Sequence, residues 1–454
     1  MPSRRETNDS CALTVLKTLS VALTWTVEVF QGSIHNPNGA IVGHLEIVNS
    51  NSSTADPAQN STGRTCLRDD VAMNEIRNRR NVLKGLAIAP FAAHTWWKQA
   101  AAAEGHSLLF VGTQTAATSK GIYAYRWDAS NGELQLEGLA AATDSPTFLA
   151  LSPDRKFLYA ANELNEFQGT KSGAVSAFSI SQSKLTALNV VSAEGTGTCH
   201  VSVHPNGKSV FCANYAGGSA SVFHVQASGA LTSAVAHFQY TGHGPMPQQE
   251  AAHAHRVTVS PDGHFLLVND LGLDCIHIYK LENGTATPND PPQWNATPGT
   301  GPRALRFHPN GRWAYCLLEM GSAVEVLEWN PTVGALTSVQ KVSLVPDGYQ
   351  GKHAGSEIVI DRSGEFAYAS DRFDDVIVSF KIDTATGQLT VLEKNTYGGK
   401  TPRHITLDPT EKWLLVANQD SDNITVLRRD TKNGLIAKTG KQFSLSKPQC
   451  LVFL

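Results

Sequence analysis

Six segments of this 454-residue chain repeat one outline, about 50 residues apart. Each segment runs from a polar start through an alternating strand to a tight turn, and then continues into a second apolar strand that ends on a polar residue. An internal period of this length restricts the chain to repeat architectures. The six turns are SPDR (152–155), HPNG (204–207), SPDG (260–263), HPNG (308–311), DRSG (361–364) and DPTE (408–411).

The residue pattern inside each repeat predicts β-hairpins rather than helices. Apolar residues alternate with period two, and Gly, Asn and Asp occupy the turns. A third apolar run follows in each segment, such as AVSAFSI at 174–180, and a turn such as TATGQL at 384–389 precedes a weaker fourth strand. Four antiparallel strands per unit of this size are typical of a β-propeller blade.

The two ends of the repeat region complement each other. SLLFVGT (107–113) has the pattern of a second strand with no first strand before it, and PQCLVFL (448–454) has the pattern of a first strand with no turn after it. Joining them makes another blade and removes two open sheet edges. We therefore predict an all-β, seven-bladed β-propeller over residues 105–454, with four antiparallel strands per blade and a ring closed by the C-terminal strand.

Equivalent positions in the repeats identify candidate functional residues. The start of the first strand and the end of the second lie on the same face of a blade, next to the central channel, because the two strands are antiparallel. Three columns of positions there mix His, Arg and Glu, which a purely structural repeat does not require. Six positions before the second turn residue, the repeats carry Thr147, Cys199, His255, Arg303, Ser356 and Arg403. Five positions before it, they carry Phe148, His200, Arg256, Ala304, Glu357 and His404. Ten positions after it, they carry Glu163, Tyr215, Leu271, Glu319, Arg372 and Gln419.

A fourth column is nearly uniform and has a structural interpretation. Nine positions after the turn, the repeats carry Asn162, Asn214, Asp270, Leu318, Asp371 and Asn418. Short polar side chains of this kind bond to nearby backbone groups. We interpret this column as backbone capping, whereas the other three columns are expected to face one pocket at the channel mouth.

Composition excludes several classes of function. The formal net charge of −3 and the lack of a basic stripe give no electrostatic reason to expect a nucleic acid partner. The cysteines from Cys199 onward lie inside apolar runs and form no C-x-x-C pair, which indicates buried thiols rather than a zinc site. We expect no metal or cofactor, a small-molecule partner, and a monomer.

A segment ahead of the repeats resembles a bacterial twin-arginine export signal. Residues 73–104 contain Arg79-Arg80, then Lys84, an apolar stretch over 85–97 that is too short to span a bilayer, and small residues at 100–103. This pattern predicts a periplasmic or secreted protein that uses the twin-arginine machinery, and a cytoplasmic one if the leader is not used. The alternative is a basic surface helix. Residues 1–72 show no clear periodicity, and we predict that they are a non-native or disordered extension.

At family level, residues 105–454 resemble the seven-bladed lactonases, which include propeller-type 6-phosphogluconolactonases and carboxy-cis,cis-muconate cyclases. The resemblance rests on four motifs. They are HAHRVTVSPDGHFLLVNDLGLD, GPRALRFHPNGRWAYCLLEM, GSEIVIDRSGEFAYASDR and TPRHITLDPTEKWLLVANQDSD. The resemblance implies that His255, Glu319, Arg303 and Arg372 are catalytic. This sequence departs from the family pattern at Ala304, where a histidine is usual, and at Leu318, where an asparagine is usual.

For hydrolysis of a sugar lactone, the sequence leads to specific expectations of role. Glu319 is expected to act as the base and His255 to donate the proton to the leaving group, while Arg303 and Arg372 grip an anionic group or stabilise developing negative charge. Two other functions remain open at this point, a cyclase that forms a lactone from a muconate and a non-catalytic ligand-binding propeller. Further expected substrate contacts are Arg403, His404, Arg256, His200, Glu163 and Gln419.

Overall fold

The computed structural model describes residues 106–115, 118–282, 284–346 and 348–454, and these form seven four-stranded sheets. A short 3₁₀ helix, Pro247–Gln249, lies between the second and third repeats. The strands are β1 His106–Thr113, β2 Gly121–Asp128, β3 Glu133–Ala142, β4 Pro146–Leu151, β5 Phe157–Asn162, β6 Ala174–Ser181, β7 Lys184–Ser192, β8 Thr198–Val203, β9 Ser209–Asn214, β10 Ser219–His224, β11 Ala236–Gln239, β12 Ala254–Val259, β13 Phe265–Asp270, β14 Cys275–Glu282, β15 Thr285–Asn295, β16 Pro302–Phe307, β17 Trp313–Leu318, β18 Ala323–Asn330, β19 Ala335–Ser343, β20 Gly355–Ile360, β21 Phe366–Asp371, β22 Val376–Ile382, β23 Leu389–Thr396, β24 Pro402–Leu407, β25 Trp413–Asn418, β26 Asn423–Arg429, β27 Ile436–Ser444 and β28 Pro448–Phe453.

The chain closes its ring as predicted. The C-terminal strand β28 pairs antiparallel with β1, so that Leu109 lies opposite Phe453 and Val111 opposite Leu451, and the sheet order of this blade is β28-β1-β2-β3. The other six blades are consecutive, from β4–β7 to β24–β27. The first strands β4, β8, β12, β16, β20, β24 and β28 contact one another in turn around the axis, and we call them the inner strands. The seven-bladed all-β propeller is therefore confirmed.

Packing between blades explains the strand patterns. The second strands β9, β13, β17, β21 and β25 are buried along their whole length, because a neighbouring blade covers each face. An outer strand such as β27 alternates between covered and exposed residues. Trp313 and Tyr315 of one blade pack in a single cluster with Ile358 and Phe380 of the next. Apolar burial between blades therefore holds the ring together.

A β-bulge near the start of every inner strand shapes the central channel. The pairing of each inner strand with its neighbour slips by one residue there, as between Pro302 and Ala304 in β16 or between Gly112 and Thr113 in β1 opposite β28. The extra residue is left unpaired, and such a bulge re-aims side chains. The bulged positions, which we call the bulge ring, are Thr147, Cys199, His255, Arg303, Ser356, Arg403 and Gln449.

Four of the five Asn and Asp residues in this column bond to nearby backbone groups as expected, whereas Asn418 donates to the side chains of Asn423 and Thr425. Asn162 donates to the carbonyl of Asp144 at 2.5 Å, and Asn214 donates to that of Ala193 at 3.0 Å. Leu318, the exception in this column, is fully buried in the apolar cluster between its own blade and the preceding one. Apolar packing therefore replaces the cap in that blade.

Replacing Asp270 by alanine is expected to destabilise the fold by about 1–3 kcal/mol. One carboxylate oxygen, Oδ1, accepts the backbone N–H groups of His253 at 2.8 Å and of Gly272 and Leu273 at 3.0 Å each. Removing it leaves buried donors without a partner. Urea unfolding measures the loss, and Asp270→Asn, which keeps an oxygen acceptor, is expected to lose less. An alanine variant as stable as the wild type would contradict the capping role.

The described residues bear on two other predictions from the sequence. Cys199, Cys212, Cys275, Cys316 and Cys450 are buried free thiols, which confirms that interpretation. Within the described ranges, no helix has the length and apolarity needed to cross a membrane. The predicted extension (1–72) and export signal (73–104) lie outside the described residues.

Candidate active site

Seven equivalent residues surround one mouth of the central channel. Each donates its backbone N–H to a carbonyl at the start of its own inner strand at 2.8–3.0 Å, as Glu319 does to Gly301 and Arg372 to Ala354. This repeated bond fixes where the second strand of each blade ends. We call these residues the entrance ring, and they are Gln114, Glu163, Tyr215, Leu271, Glu319, Arg372 and Gln419.

Glu319 forms ion pairs with two arginines, Arg303 of the bulge ring and Arg372 of the entrance ring. Arg372 Nη2 lies 2.7 Å from Glu319 Oε1, and Arg303 Nε lies 2.8 Å from Oε2. The Arg303 guanidinium also donates to the carbonyl oxygen of Ser356, and Arg372 Nε donates to that of Ala354 at 3.3 Å. Both guanidinium groups are thus held on two sides. The structure brings three of the four predicted catalytic residues into direct contact.

His255 and Arg403 complete the group. His255 lies in the bulge ring, with the Tyr215 ring edge-on to it at 5.6 Å between centroids. Burial and the nearby Arg303, Arg403 and Arg372 lower the pKa of His255 well below its usual value, so that its imidazole is neutral at pH 7. Arg403 lies close enough to act on the pKa of both His255 and Glu319. In the described part of the chain Arg403 has no ion-pair partner, unlike Arg303 and Arg372.

Electrostatics set the charge states of Glu319 and His255. Burial alone would raise the pKa of Glu319, but Arg372, Arg303 and Arg403 outweigh it and hold that pKa below its usual value. At neutral pH these shifts keep Glu319 charged and His255 neutral, so that His255 is in its proton-accepting form. A lowered pKa also makes each group a weaker base than usual. The expected roles of Glu319 as base and His255 as acid remain predictions.

Three expected substrate contacts lie deeper than predicted. Arg256, His200 and His404 are buried below the bulge ring, because their positions are one residue further along the inner strands. Arg256 Nη1 binds both oxygens of Glu357 at 3.0 Å, Arg306 Nη2 lies 3.4 Å from Oε1, and His404 Nε2 lies 3.8 Å from Oε2. We call Arg256, Glu357, Arg306 and His404 the axial network.

The axial network separates the entrance from the other mouth of the channel. Three of its members, Arg256, Arg306 and His404, line a pocket of about 480 Å³ on the side of the turns together with His200. Burial lowers the pKa of His404 to about 4, although Glu357 opposes the shift. Arg256, His200 and His404 form the floor of the entrance, where they line one small cavity together with His255, Arg303 and Arg403. Their expected contact with a substrate remains a prediction.

The other two expected contacts belong to the entrance ring. Glu163 and Gln419 are half-buried there, and Gln419 Nε2 donates to Asp420 Oδ1 at 3.2 Å. Ala304 and Leu318, where the chain departs from the resembled family, are fully buried in apolar clusters. The Arg303–Glu319 ion pair forms without polar neighbours at those two positions.

Three residues at the entrance were not singled out as catalytic residues or substrate contacts, although Tyr215 stands in a column that was expected to face the pocket. Tyr215 stacks on His253 at 4.4 Å with 12° between the ring planes, and His253 Nδ1 lies 3.0 Å from the carbonyl oxygen of Tyr215. Gln114 is the entrance-ring residue of the closing blade. The sequence held a signal for each. Tyr215 stands in the same column as Glu319, His253 precedes His255 in the HAHR motif, and Gln114 directly follows SLLFVGT.

Comparison with known proteins identifies the class. A family model described as "Lactonase, 7-bladed beta-propeller" matches residues 108–453. The 6-phosphogluconolactonase of Bacillus subtilis is 34% identical over 347 residues, which cover 76% of this chain and 97% of that protein. The 6-phosphogluconolactonase of Formosa agariphila is 32% identical, over 73% of this chain and 94% of that one.

A solved structure gives the same result. The periplasmic gluconolactonase of Pseudomonas aeruginosa superposes with a TM-score of 0.73 at 31% identity, covering 77% of this chain and 99% of that chain. Fold and relatives together define a propeller enzyme of the lactone-hydrolase class. The chain belongs to the seven-bladed β-propeller lactonase family.

Proposed function

We propose that the entrance hydrolyses a sugar-acid lactone that carries an anionic group. The observation that carries this proposal is Arg403, an arginine with no ion-pair partner among the described residues, beside the paired Arg303 and Arg372. Three guanidinium groups against the two entrance carboxylates, Glu319 and Glu163, leave an excess of positive charge. Such a site favours an anionic substrate or an anionic transition state.

In the proposed reaction His255 first acts as a base. It accepts a proton from water while the water oxygen attacks the lactone carbonyl carbon, and the electron pair of the C=O bond moves to its oxygen. Arg303 and Arg372 stabilise that oxyanion. When the oxyanion collapses, the ring C–O bond breaks, and the departing alkoxide takes the proton back from His255. The product is the open-chain hydroxy acid, which ionises in water.

Glu319 is assigned a positioning role in this scheme. It binds the two guanidinium groups that face the oxyanion, so that they need not reorganise during the reaction. Its lowered pKa keeps it charged at neutral pH. Because it acts through Arg303 and Arg372, its loss should affect the turnover step more than the binding of substrate.

The anionic group of the substrate is proposed to bind Arg403. A phosphoryl group and a carboxylate share the chemistry that a guanidinium recognises. The Bacillus subtilis relative is named for a phosphorylated gluconolactone, whereas the Pseudomonas aeruginosa neighbour is named a gluconolactonase. A panel of glucono-1,5-lactone, its 6-phosphate and a glucaric acid lactone separates a neutral, a phosphorylated and a carboxylated substrate.

Arg403→Gln is expected to raise the KM for the preferred anionic lactone about 10–100-fold, since a hydrogen-bonded charge contact is lost. The KM for neutral gluconolactone should change little. Steady-state hydrolysis of the three lactones measures this, and Arg428→Gln, on the β26 strand away from the entrance, is the control. Equal effects on all three lactones would contradict the anchor, and no hydrolysis of any of them by the wild type would contradict the lactonase proposal itself.

We also propose that the protein is exported through the twin-arginine pathway. The support is the order of Arg79-Arg80, Lys84 and a short apolar stretch in residues 73–104. The periplasmic name of the Pseudomonas aeruginosa neighbour is compatible with this location. Replacing Arg79 and Arg80 by lysine should keep the protein in the cytoplasm, as cell fractionation would show. Unchanged export of that variant would contradict the proposal.

A further inference from the structure

A small cavity lies on the propeller axis, between the bulge ring and the axial network. Its volume is about 20 Å³, and all seven inner strands contribute to its wall. A space of this size admits a single small occupant. The residues that line it are Thr147, Phe148, Cys199, His200, His255, Arg256, Arg303, Glu357, Arg403, His404 and Gln449.

Unpaired polar atoms gather around this cavity. Thr147 Oγ1, His200 Nε2 and Gln449 Nε2 are buried and have no hydrogen-bond partner among the described residues, and each of the three residues lines the cavity. All three residues are at least nine-tenths buried. Buried polar groups in proteins are nearly always satisfied. Arg303 Nε also lacks hydrogen-bond geometry, but it lies 2.8 Å from Glu319 Oε2 in an ion pair and therefore has a partner. The other three unsatisfied groups around one cavity point to an occupant.

The unpaired atoms can act as hydrogen-bond donors. The backbone N–H of Val257 donates to His200 Nδ1 at 3.4 Å, so the proton of the neutral ring is on Nε2. The Gln449 amide nitrogen is a donor only, and the Thr147 hydroxyl can donate. Donors that converge on one point favour an occupant that accepts from several directions.

The charges around the cavity favour an anion over water. Arg256, Arg303 and Arg403 line it, and Glu357 is its only carboxylate among the described residues. Both oxygens of Glu357 already bind Arg256, and one of them also pairs with Arg306. A monatomic anion accepts from every donor around it, and it also reduces the repulsion between the arginines.

We propose that the axial cavity is a binding site for a halide ion, such as chloride, held by Thr147, His200 and Gln449. This site is separate from the lactone site, although His255, Arg303 and Arg403 border both. The halide completes the floor on which those three side chains rest. The assignment does not depend on which lactone the enzyme hydrolyses, or on whether it hydrolyses one.

The first test measures halide-dependent stability. Full-length wild-type protein is prepared in sodium methanesulfonate and titrated with sodium chloride or bromide at constant ionic strength. Its unfolding midpoint should rise by about 2 °C once the halide exceeds its dissociation constant tenfold, because only the folded state binds the ion. Sulfate, a larger anion that is excluded from protein surfaces, should raise the midpoint without saturating. A halide response that does not saturate, or that equals the sulfate response over the whole titration, would overturn the proposal.

Variants test whether the chloride-dependent stabilisation arises at the axial cavity. Thr147→Val removes one donor and should raise the chloride concentration at half-effect about tenfold, whereas Thr147→Ser keeps the hydroxyl and should behave as the wild type. Thr258→Val is the matched control, since its hydroxyl is also buried and unpaired but lines the opposite pocket. Equal chloride responses in Thr147→Val and Thr258→Val would exclude the cavity as the site.

Diffraction identifies the occupant directly. Crystals grown in sodium bromide should show one anomalous peak on the axis, within hydrogen-bonding distance of Thr147 Oγ1, His200 Nε2 and Gln449 Nε2. Density for a water molecule at that position with no anomalous signal would overturn the proposal. Hydrolysis of lactones can be intact in either case, so failure here is distinguishable from failure of the proposed function.

Discussion

His255→Asn is expected to lower kcat for lactone hydrolysis by about 10²–10⁴-fold, the range for loss of a general base. The physical reason is the neutral imidazole. Burial and three nearby arginines lower its pKa, so that the ring can accept a proton from water at neutral pH. The measurement is initial-rate kinetics on gluconolactone and its 6-phosphate. His264→Asn, at an exposed turn on the other face, is the control and should retain full activity.

The pH dependence separates His255 from Glu319 as the base. The folded-state pKa of His255 is lowered, so its basic form persists as the pH falls through about 6.5, the usual histidine value. In the wild type, kcat/KM should therefore stay level down to pH 6.5 and fall only at lower pH. The Glu319→Gln variant should keep that acid limb while turning over more slowly. An acid limb that disappears in Glu319→Gln but remains in His255→Asn would assign the base to the carboxylate.

Blade number, closure and the entrance were predictable because each depends on sequence period and offset. The turns from SPDR to DPTE fix six blades, and the incomplete strands 107–113 and 448–454 fix the seventh. Counting from the turns also placed Glu319 and Arg372 in one column, and the repeated backbone bonds put that column at the mouth. These features follow from local pattern alone.

Depth and pairing within the channel were not predictable in the same way. Arg256 pairs with Glu357 across 101 residues and from a blade that is not its neighbour, so no local pattern connects them. A bulge in every inner strand turns adjacent columns toward the axis at different depths. The pKa of His255 depends on burial and on charges from other blades, and its strand carries no signal for either.

Glu357→Gln is expected to destabilise the fold by about 3–5 kcal/mol, the cost of leaving a buried charge without its partner. Glu357 is 1% exposed and Arg256 is 4% exposed. Arg256 Nη1 lies 3.0 Å from each carboxylate oxygen of Glu357. Without the carboxylate, that guanidinium stays buried and unpaired. Urea unfolding measures the loss. Glu328→Gln, which breaks an exposed ion pair with Arg312, is the matched control and should cost less than about 1 kcal/mol.

A double variant tests whether the loss comes from the uncompensated charge. Glu357→Gln combined with Arg256→Met removes both buried charges, and an apolar replacement of a buried ion pair is often neutral. The double variant should therefore be more stable than Glu357→Gln alone. If it is less stable by the sum of the two single losses, the two residues do not interact energetically, and the axial network is not held by this pair.

Acid unfolding provides a second measurement of the stability difference between the wild type and Glu357→Gln. Burial alone would raise the pKa of Glu357, but Arg256 and Arg306 outweigh it and hold that pKa far below its usual range. A carboxyl with a lowered folded-state pKa contributes stability that is fully present above its unfolded pKa of about 4.3 and is lost as the pH falls below that value. The stability gap between wild type and Glu357→Gln should thus be constant from pH 7 to about pH 5 and should narrow on further acidification. A gap that stays constant down to pH 2 would show that the lost stability is not electrostatic.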